Sequence, residues 1–284
     1  MDDKISLVDI KLPTSFEDFT QESGGVIFIP KYLIYKHIKL YKSDRNQEKG
    51  DISIIVTYGD GSNNICLKIT SNEEEADMSD LLIKEGVDTW MCDILNTRVI
   101  GSKEDEYYIA MNCYTMDLNR YMDIVTMPIE DRLKIIKKVY ETMDCLYKHG
   151  FVYLDLKPSN VLVNIDSKSR ITEIVLGDIG SIFKKSKIGI STYPTPFLHC
   201  NGILRANKRN MAWVYAVFCL FIMDEYYGLY SYTYVNDYFN ELLDEKIPQK
   251  LPLNIFNLFV KIIGDSEKEN LSTIYNIFED TYKG

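Results

Sequence analysis

Apolar and polar residues alternate along much of the first third of the chain. Residues 31–41 and 51–58 place an apolar side chain at nearly every second position, which is the period of a half-buried β-strand. Residues 59–64 have Asp-Gly at their centre and predict a turn, after which residues 65–70 predict another strand. Residues 107–111 have the same strand character. The pattern indicates a β-rich part that ends near residue 114.

Helical spacing first occurs within this part and dominates the chain from about Asp117 onward. From Ser79 onward, apolar residues recur at the spacing of one buried helix face: Leu81, Leu82, Val87, Trp90, Met91 and Leu95. Residues 127–148 form a long amphipathic segment, and Gly150 follows it at the position of a helix C-cap. Short strands are predicted at 161–164 and 171–176, and helices from Arg209 to the end. A small β-rich part followed by a larger helical part indicates an α+β fold.

Composition and charge narrow the classes of partner and location. The 284 residues are 46% hydrophobic and 26% charged, which is typical of a globular protein. A net charge of −10 argues against a nucleic-acid partner bound through a basic surface. The apolar run 211–223 is shorter than the ~20 residues of a membrane span, so it predicts a buried helix. The acidic N-terminus lacks a secretory pattern, and we expect a cytoplasmic protein without a membrane span.

The cysteines and histidines do not have the spacing of a metal site. The six cysteines contain no C-x-x-C pair, and the three histidines are dispersed. Most of the cysteines have apolar neighbours, so we expect buried free thiols, as in a reducing cytosol. The cysteines are Cys66, Cys92, Cys113, Cys145, Cys200 and Cys219.

The most informative stretch of the sequence is 151–164, and residues 152–160 within it read VYLDLKPSN. It contains Asp155, Lys157 and Asn160, and Pro158 restricts the backbone between them. This segment resembles the catalytic loop of serine/threonine protein kinases, H-R-D-L-K-P-x-N. The resemblance implies that Asp155 orients the attacking hydroxyl or accepts its proton, and that Lys157 lies near the transferred phosphoryl group. It also implies that Asn160 binds Mg²⁺ or Mn²⁺.

Two further segments resemble kinase motifs and occur in the kinase order. Residues 177–180, Gly-Asp-Ile-Gly, resemble the D-F-G triplet, which implies that Asp178 binds the metal ion. Residues 65–68, Ile-Cys-Leu-Lys, resemble the V-A-I-K strand, which implies that Lys68 contacts the α- and β-phosphates of ATP. For the glutamate that pairs with Lys68 we expect Glu85. The acidic run at residues 73–75 is more typical of a solvated helix start.

Residues 108–122 resemble the hinge segment of a kinase. The resemblance implies that Met111 is the gatekeeper and that the backbone from Asn112 to Tyr114 binds adenine. An ordinary strand that leaves a sheet edge is the alternative. The resemblance implies a two-lobed fold: an N-terminal extension (1–30), a β-rich N-lobe (31–114) and a helical C-lobe (115–284).

Four departures from the kinase pattern bear on activity. Residues 42–50 contain one glycine where a phosphate-covering loop usually has three, which predicts weak nucleotide affinity or a different lid. Tyr153 and Leu154 replace the usual His-Arg, so control by a phosphorylated activation loop is not expected. The A-P-E triplet is missing, and residues 195–197 are the nearest match. The helix at 211–223 lacks its usual aspartate, unless Asn210 substitutes for it.

These observations favour an ATP- and Mg²⁺-dependent serine/threonine protein kinase of a divergent branch, acting on a protein substrate. A pseudokinase that binds and regulates a protein partner is the first alternative. A small-molecule phosphotransferase of the aminoglycoside- or choline-kinase type is the second, although such enzymes usually lack the lysine and proline seen at Lys157 and Pro158. The abundance of Ile, Asn, Lys and Tyr suggests an AT-rich genome, as in a virus or parasite acting in a host cytoplasm.

Overall fold

The chain divides into two compact units. The structure is a computed structural model that describes residues 6–21, 27–49, 53–59, 64–87, 89, 91–103, 105–190, 203–223, 252–265 and 270–283. The first unit consists of residues 1–90 and 95–114, and the second of residues 91–94 and 115–284. Residues 91–94 belong to the second unit because Ile94 bridges to Leu176 and the Leu176 amide donates to the Asp93 carbonyl.

The first unit is built on an antiparallel sheet of seven strands. In chain order the unit contains β1 (Ile10–Lys11), β2 (Phe19–Gln21), β3 (Phe28–Pro30), β4 (Tyr32–Tyr35), β5 (Ile38–Lys49), β6 (Ser53–Gly59), β7 (Asn64–Thr70), helix α1 (Glu73–Lys84), β8 (Thr97–Lys103) and β9 (Glu106–Asn112). The order in the sheet is β1-β4-β5-β6-β7-β9-β8, and β2 pairs with β3 separately. Two 3₁₀ turns, Leu7–Asp9 and Phe16–Asp18, precede β1 and β2.

Strict alternation places the core of this unit on one face of the sheet. Along β7, Ile65, Leu67 and Ile69 are buried in the core, whereas Cys66 and Lys68 point to the other face and are partly exposed. The core also includes side chains from the N-terminal segment and from the neighbouring strands: Leu7, Ile10, Ile29, Leu33, Leu40, Ile54, Val56, Tyr58, Tyr108 and Ala110. The N-terminal segment therefore covers the face of the sheet opposite Lys68.

Three expectations for this unit are wrong. Residues 31–41 form two strands, β4 and β5, because Lys36 has a positive φ of 55° and turns the chain. Strand β5 continues to Lys49 through the segment predicted to be a loop, with a register shift between Lys42 and Gln47. Helix α1 begins six residues before Ser79, because Asn72 caps it and its first turn is acidic. It ends at Lys84, so Val87, Met91 and Leu95 lie beyond it, and Met91 is exposed and not buried.

The second unit is mainly helical. In chain order it contains β10 (Met116–Asp117), α2 (Leu118–Ile124), α3 (Ile129–Lys148), β11 (Phe151–Tyr153), β12 (Val161–Ile165), β13 (Ile171–Leu176), β14 (Ile182–Lys184), β15 (Ile188–Ile190), β16 (Ile203–Arg205), α4 (Lys208–Ile222), α5 (Leu253–Asp265) and α6 (Leu271–Lys283). Short 3₁₀ turns occur at Pro158–Asn160 and Ile179–Ser181. The strands form three small antiparallel sheets, β10-β12-β13, β11-β14 and β15-β16.

Helices α3, α4 and α6 form the core of this unit. Every residue of the apolar run 211–223 is buried, which confirms the prediction of a buried helix. The Tyr215 hydroxyl of α4 donates to the Ile136 carbonyl of α3 at 2.8 Å. Arg132 of α3 donates to the Ile222 carbonyl at the end of α4. None of the helices that the structure describes combines the length and apolarity needed to cross a membrane.

Four of the cysteines are paired, so the expectation of free thiols is wrong for them. Cys66 forms a disulfide with Cys113 in the first unit, and Cys92 forms one with Cys145 in the second. Both pairs connect segments about 50 residues apart in sequence, and sequence spacing does not predict such contacts. Cys219 is a buried free thiol, as predicted, and burial raises its pKa.

Candidate active site

The loop between β11 and β12 contains Asp155, Lys157 and Asn160 and is shaped by two buried leucines. Leu154 and Leu156 are fully buried and alternate with Asp155 and Lys157, which are directed to the more exposed side. A proline at the start of the 3₁₀ turn Pro158–Asn160 then bends the chain into β12.

These three polar residues contact one another directly. The Lys157 Nζ lies 2.8 Å from Oδ2 of Asp155. The side-chain amide of Asn160 donates to the Asp155 backbone carbonyl at 2.8 Å and to Oδ2 at 3.3 Å. Because the Asn160 amide nitrogen is used in this way, its amide oxygen is the atom that could bind a cation. The structure thus brings together the three residues predicted from the loop sequence.

The β12–β13 hairpin brings Asp178 next to this loop. Val161 pairs with Leu176, so the residues at the open end of the hairpin, Asn160 and Gly177, are adjacent. The Gly177 amide donates to the Asn160 carbonyl at 2.7 Å. A Cβ on Gly177 would lie 3.0 Å from Leu162 and 3.3 Å from that carbonyl, so glycine permits the close approach.

Asp178 has a left-handed backbone conformation, with φ 43° and ψ 71°. This region is uncommon for residues other than glycine, although aspartate tolerates it better than most. The Ser181 hydroxyl donates to Oδ2 of Asp178 at 2.7 Å, and the Ser181 amide donates to the Asp178 carbonyl. A carboxylate and an amide oxygen are ligands that Mg²⁺ accepts, so Asp178 and Asn160 fit the predicted metal ion.

Tyr153 connects the loop that contains Asp155 to the segment that contains Gly177 and Asp178. The resemblance to kinase motifs does not predict this role. Tyr153 is fully buried, and its hydroxyl donates to the Gly177 carbonyl at 2.8 Å. Burial, followed by the negative charges of Asp178 and Asp155, raises the pKa of Tyr153 well above 10.0. The hydroxyl therefore remains a donor at neutral pH. The sequence signal for this role is that a tyrosine stands at the position where kinases usually have histidine.

In the first unit, Lys68 pairs with Glu75 and not with Glu85, so the prediction of Glu85 is wrong. The Lys68 Nζ lies 2.5 Å from Oε1 of Glu75, and both side chains are largely buried. Glu75 is in the first turn of α1, where Asn72 caps the helix. Glu85 is the exposed C-cap residue at the opposite end. The signal for Glu75 was the asparagine cap followed by acidic residues, which favours a helix start at this position.

The residues predicted to bind adenine lie at the end of β9. Met111 is buried and pairs with Cys66 across the sheet. Asn112 is also buried, and the described residues offer no hydrogen-bond partner for its Nδ2. Tyr114 follows and is half-buried. Their assignment to adenine stays a prediction.

A second group of potential metal ligands lies away from this loop, at the end of α3. The sulfurs of Cys92 and Cys145 each lie 4.0 Å from Nδ1 of His149. The two sulfurs form a disulfide in the structure, and a metal ion would require both as thiolates. With the disulfide formed, the two sulfurs are not available as metal ligands.

Two further features singled out in the sequence are Asn210 and the segment nearest to A-P-E. Asn210 is buried, and its side-chain amide donates to the Arg205 carbonyl, so it orders the chain that enters α4. Residues 195–197 lie outside the described residues, so the comparison with A-P-E stays a prediction.

Comparisons with known proteins agree with the geometry. The model of the protein kinase domain matches residues 56–188, a range that includes Lys68, Asp155, Asn160 and Asp178. The dual specificity protein kinase Ttk of Danio rerio is 30% identical over 95 residues, which are 31% of this chain and 10% of that protein. The probable serine/threonine-protein kinase PknB of Lactococcus lactis is 30% identical over 76 residues, which are 26% of this chain and 12% of that protein. This chain thus spans only a small part of the length of either relative.

A solved structure supports the same fold over most of the chain. The structure of vaccinia related kinase 3 superposes with a TM-score of 0.62 and covers 86% of this chain and 87% of its own. The sequence identity is 10%, so this likeness concerns the fold. It confirms the α+β, two-lobed fold class expected from the sequence.

Proposed function

This chain belongs to the protein kinase superfamily, and we propose that it is a serine/threonine protein kinase that transfers the γ-phosphate of ATP to hydroxyl groups of proteins. The observation that carries the proposal is the contact between Asp155, Lys157 and Asn160, with Asp178 placed beside them by the β12–β13 hairpin. A chain that no longer transferred phosphate would have little reason to keep these four side chains together.

Each residue of the loop has a defined task in this proposal. Asp155 accepts a hydrogen bond from the attacking hydroxyl and orients it or takes its proton. Lys157, now paired with Asp155, is close enough to the same position to neutralise charge on the transferred phosphoryl group. Asn160 and Asp178 would hold the divalent cation, which when bound neutralises charge on the nucleotide phosphates.

In the first unit, the Lys68–Glu75 pair provides a fixed positive charge for the nucleotide. Glu75 is buried and holds the Lys68 ammonium on the face of the sheet opposite the core. An ammonium restrained in this way binds phosphate without the entropic cost of ordering a free lysine side chain. The proposal thus assigns Lys68 to the phosphates of ATP and Glu75 to positioning Lys68.

The proposal that serine and threonine are the phosphorylated residues rests on Lys157. A lysine two positions after the aspartate resembles the motif of serine/threonine kinases. The relatives support protein phosphorylation in general, since they are named as dual specificity and serine/threonine kinases. A basic-protein substrate would suit the net charge of −10.

A pseudokinase is the second candidate, and strand β5 favours it. The strand extends to Lys49 and carries Asp44 and Glu48, where kinases usually have a glycine-rich loop that covers the phosphates. A sequence with two negative charges and one glycine between residues 42 and 50 disfavours a loop whose backbone amides bind phosphate. Such a protein would bind partners and transfer no phosphate.

The test is phosphate transfer from radiolabelled ATP with Mg²⁺ or Mn²⁺, to the chain itself and to a basic protein, followed by analysis of the phosphorylated amino acids. The proposal predicts phosphoserine or phosphothreonine, and loss of transfer in Asp155→Ala and Asp178→Ala. Nucleotide that raises the melting temperature without any transfer would support the pseudokinase. Phosphate transferred only to small-molecule hydroxyls would contradict both.

A further inference from the structure

Two cysteines of the first unit lie where the proposed nucleotide would bind. Cys66 is on β7, two residues before Lys68, and Cys113 directly follows Asn112 at the end of β9. Their Cα atoms are 5.2 Å apart, within the range that a disulfide requires, and the sulfurs are bonded. The bridge therefore joins the strand of the phosphate-binding lysine to the segment expected to bind adenine.

The register of the sheet shows on which face the bridge lies. Cys66 pairs with Met111 on one side and with Thr57 on the other, and its side chain projects to the same face as that of Lys68. The opposite face is filled by the hydrophobic core. A nucleotide whose phosphates contact Lys68 and whose base contacts residues 112–114 would extend over Cys66. Both cysteines are partly exposed, so a small oxidant can reach them.

We propose that Cys66 and Cys113 form an oxidative modification site that controls nucleotide binding, with a peroxide as the oxidant. This inference rests on the proposed function. In the reduced protein the two thiols leave the face of β7 open. In the oxidised protein the bridge occupies this face and ties the 112–114 segment to β7, so nucleotide binds more weakly. Bound nucleotide would in turn cover the thiols and slow their oxidation.

The chemistry balances with one peroxide for each bridge. The thiolate of one cysteine attacks a peroxide oxygen, the O–O bond breaks, and a sulfenic acid forms with release of water. The second thiol attacks that sulfur, the S–O bond breaks, and the disulfide forms with release of a second water. The two sulfurs lose two electrons in total, the peroxide gains them, and the thiol protons end in the water. A dithiol or phosphine reductant reverses the modification.

The second disulfide of the structure supplies a matched control. Cys92–Cys145 lies in the second unit, Cys92 is fully buried, and neither cysteine is on a strand of the sheet that contains Lys68. Oxidation effects that depend on Cys113 and not on Cys145 would therefore report on the bridge at β7.

The experiment measures the affinity of the full chain for a fluorescent ATP analogue with Mg²⁺, after reduction by a phosphine or oxidation by stoichiometric hydrogen peroxide. Peptide mass spectrometry identifies the disulfides in each sample. We expect the affinity of the wild type and of Cys145→Ser to fall at least tenfold on oxidation and to recover on reduction. For Cys113→Ser and for Cys66→Ala, the reduced and oxidised samples of the same variant are compared. Oxidation should leave the affinity of each variant unchanged.

Two results would overturn the inference without contradicting the proposed function. In the first, the Cys66–Cys113 disulfide forms and the nucleotide affinity is unchanged. In the second, the protein binds nucleotide but does not form this disulfide after oxidation. Failure of the reduced protein to bind nucleotide would overturn both the inference and the proposed function. Mass spectrometry separates that case from the others, because it detects the bridge whether or not nucleotide binds.

Discussion

Leu154 and Leu156 are fully buried on either side of Asp155, and this burial sets the direction of the reactive side chains. Burial of a leucine side chain contributes about 2 kcal/mol to the free energy of folding, which is more than an exposed polar contact contributes. Two such residues fix the loop before any substrate is present, and the contact of Asp155 with Lys157 follows from it. At the scale of single residues, apolar burial thus orders the polar chemistry.

Lys68 pairs with Glu75 and not with Glu85, the partner predicted from the sequence, and this pairing can be tested directly. Glu75→Gln removes the negative charge that holds Lys68, and a hydrogen bond to a charged group contributes about 1.5–3 kcal/mol. Phosphate transfer should therefore fall about 10- to 100-fold. Glu85→Gln makes the same change of charge at an exposed helix end and should leave the rate within about twofold. If the transfer rate falls more in Glu85→Gln than in Glu75→Gln, Glu85 is the functional partner of Lys68.

Tyr153 provides a second test at this scale. Tyr153→Phe keeps the ring in its buried site and removes the hydrogen bond to the Gly177 carbonyl. A buried acceptor without its donor costs about 1–3 kcal/mol, so the free energy of unfolding should fall by this amount. Chemical denaturation of both proteins measures the difference. Equal midpoints and slopes would show that this hydrogen bond does not connect the two segments.

At the scale of elements, the β12–β13 hairpin places residues that are distant in sequence. Asp178 follows Asn160 by 18 positions, and strand pairing returns the chain so that Gly177 contacts Asn160. The alternation of residues 161–164 and 171–176 predicts the strands, and the motif spacing predicts what they bring together. The left-handed backbone of Asp178 was not predictable, because that conformation depends on the contacts of Ser181 and Gly177.

The close approach at Gly177 gives a prediction at this scale. Gly177→Ala adds a methyl group 3.0 Å from Leu162 and displaces the segment that carries Asp178. Phosphate transfer should fall at least tenfold. Because the contact is with the Leu162 side chain, Gly177→Ala/Leu162→Ala should recover much of the rate. Losses that simply add in the double variant would mean that the Asn160 carbonyl, and not Leu162, is the obstacle.

The contact between α4 and α3 predicts a pH dependence. Burial, followed by the effect of Cys219, raises the pKa of Tyr215 well above 10.0. Above about pH 10 the unfolded chain releases this proton while the folded protein keeps it, so stability falls as pH rises. The slope is about 1.4 kcal/mol per pH unit for one group. Tyr215→Phe should therefore be less stable at pH 8, having lost the hydrogen bond to Ile136, and should lose stability less steeply above pH 10. Parallel curves from pH 8 to 11.5 would contradict this.

Element boundaries show where sequence patterns were sufficient. The clean alternation of β6 and β7 and the uniform apolarity of α4 fix these elements without knowledge of their neighbours. The start of α1 was missed because its first turn is polar, and the signal there is the cap at Asn72. The disulfide partners could not be deduced, since contacts between distant segments depend on the completed fold.

At the scale of the whole molecule, the N-terminal segment is part of the first unit. Leu7, Ile10 and Ile29 complete its core, and the Lys103 ammonium lies over three phenylalanine rings of this segment. The distances from Nζ to the ring centroids are 3.6 Å for Phe16, 4.4 Å for Phe19 and 4.2 Å for Phe28. The contact fastens the segment to the end of β8.

Removing this cation should loosen the segment. Lys103→Met keeps the length of the side chain and abolishes the cation–π contacts, so the free energy of unfolding should fall by about 0.5–2 kcal/mol. Lys11→Met, at an exposed position of β1, is the matched control and should change it by less than about 0.5 kcal/mol. If both substitutions have the same effect, the aromatic rings do not bind the Lys103 ammonium in solution.

The kinase activity itself is tested by the rate of γ-phosphate transfer by the wild type and by Asp155→Asn, with nucleotide binding measured in parallel. Asparagine keeps the shape of Asp155 and removes its ability to accept a proton. If the chain is a protein kinase that uses Asp155, the wild type should transfer phosphate measurably, Asp155→Asn should transfer it at least about 100-fold more slowly, and both should bind nucleotide. Equal rates in the two proteins, or nucleotide binding by the wild type with no transfer, would contradict this proposal.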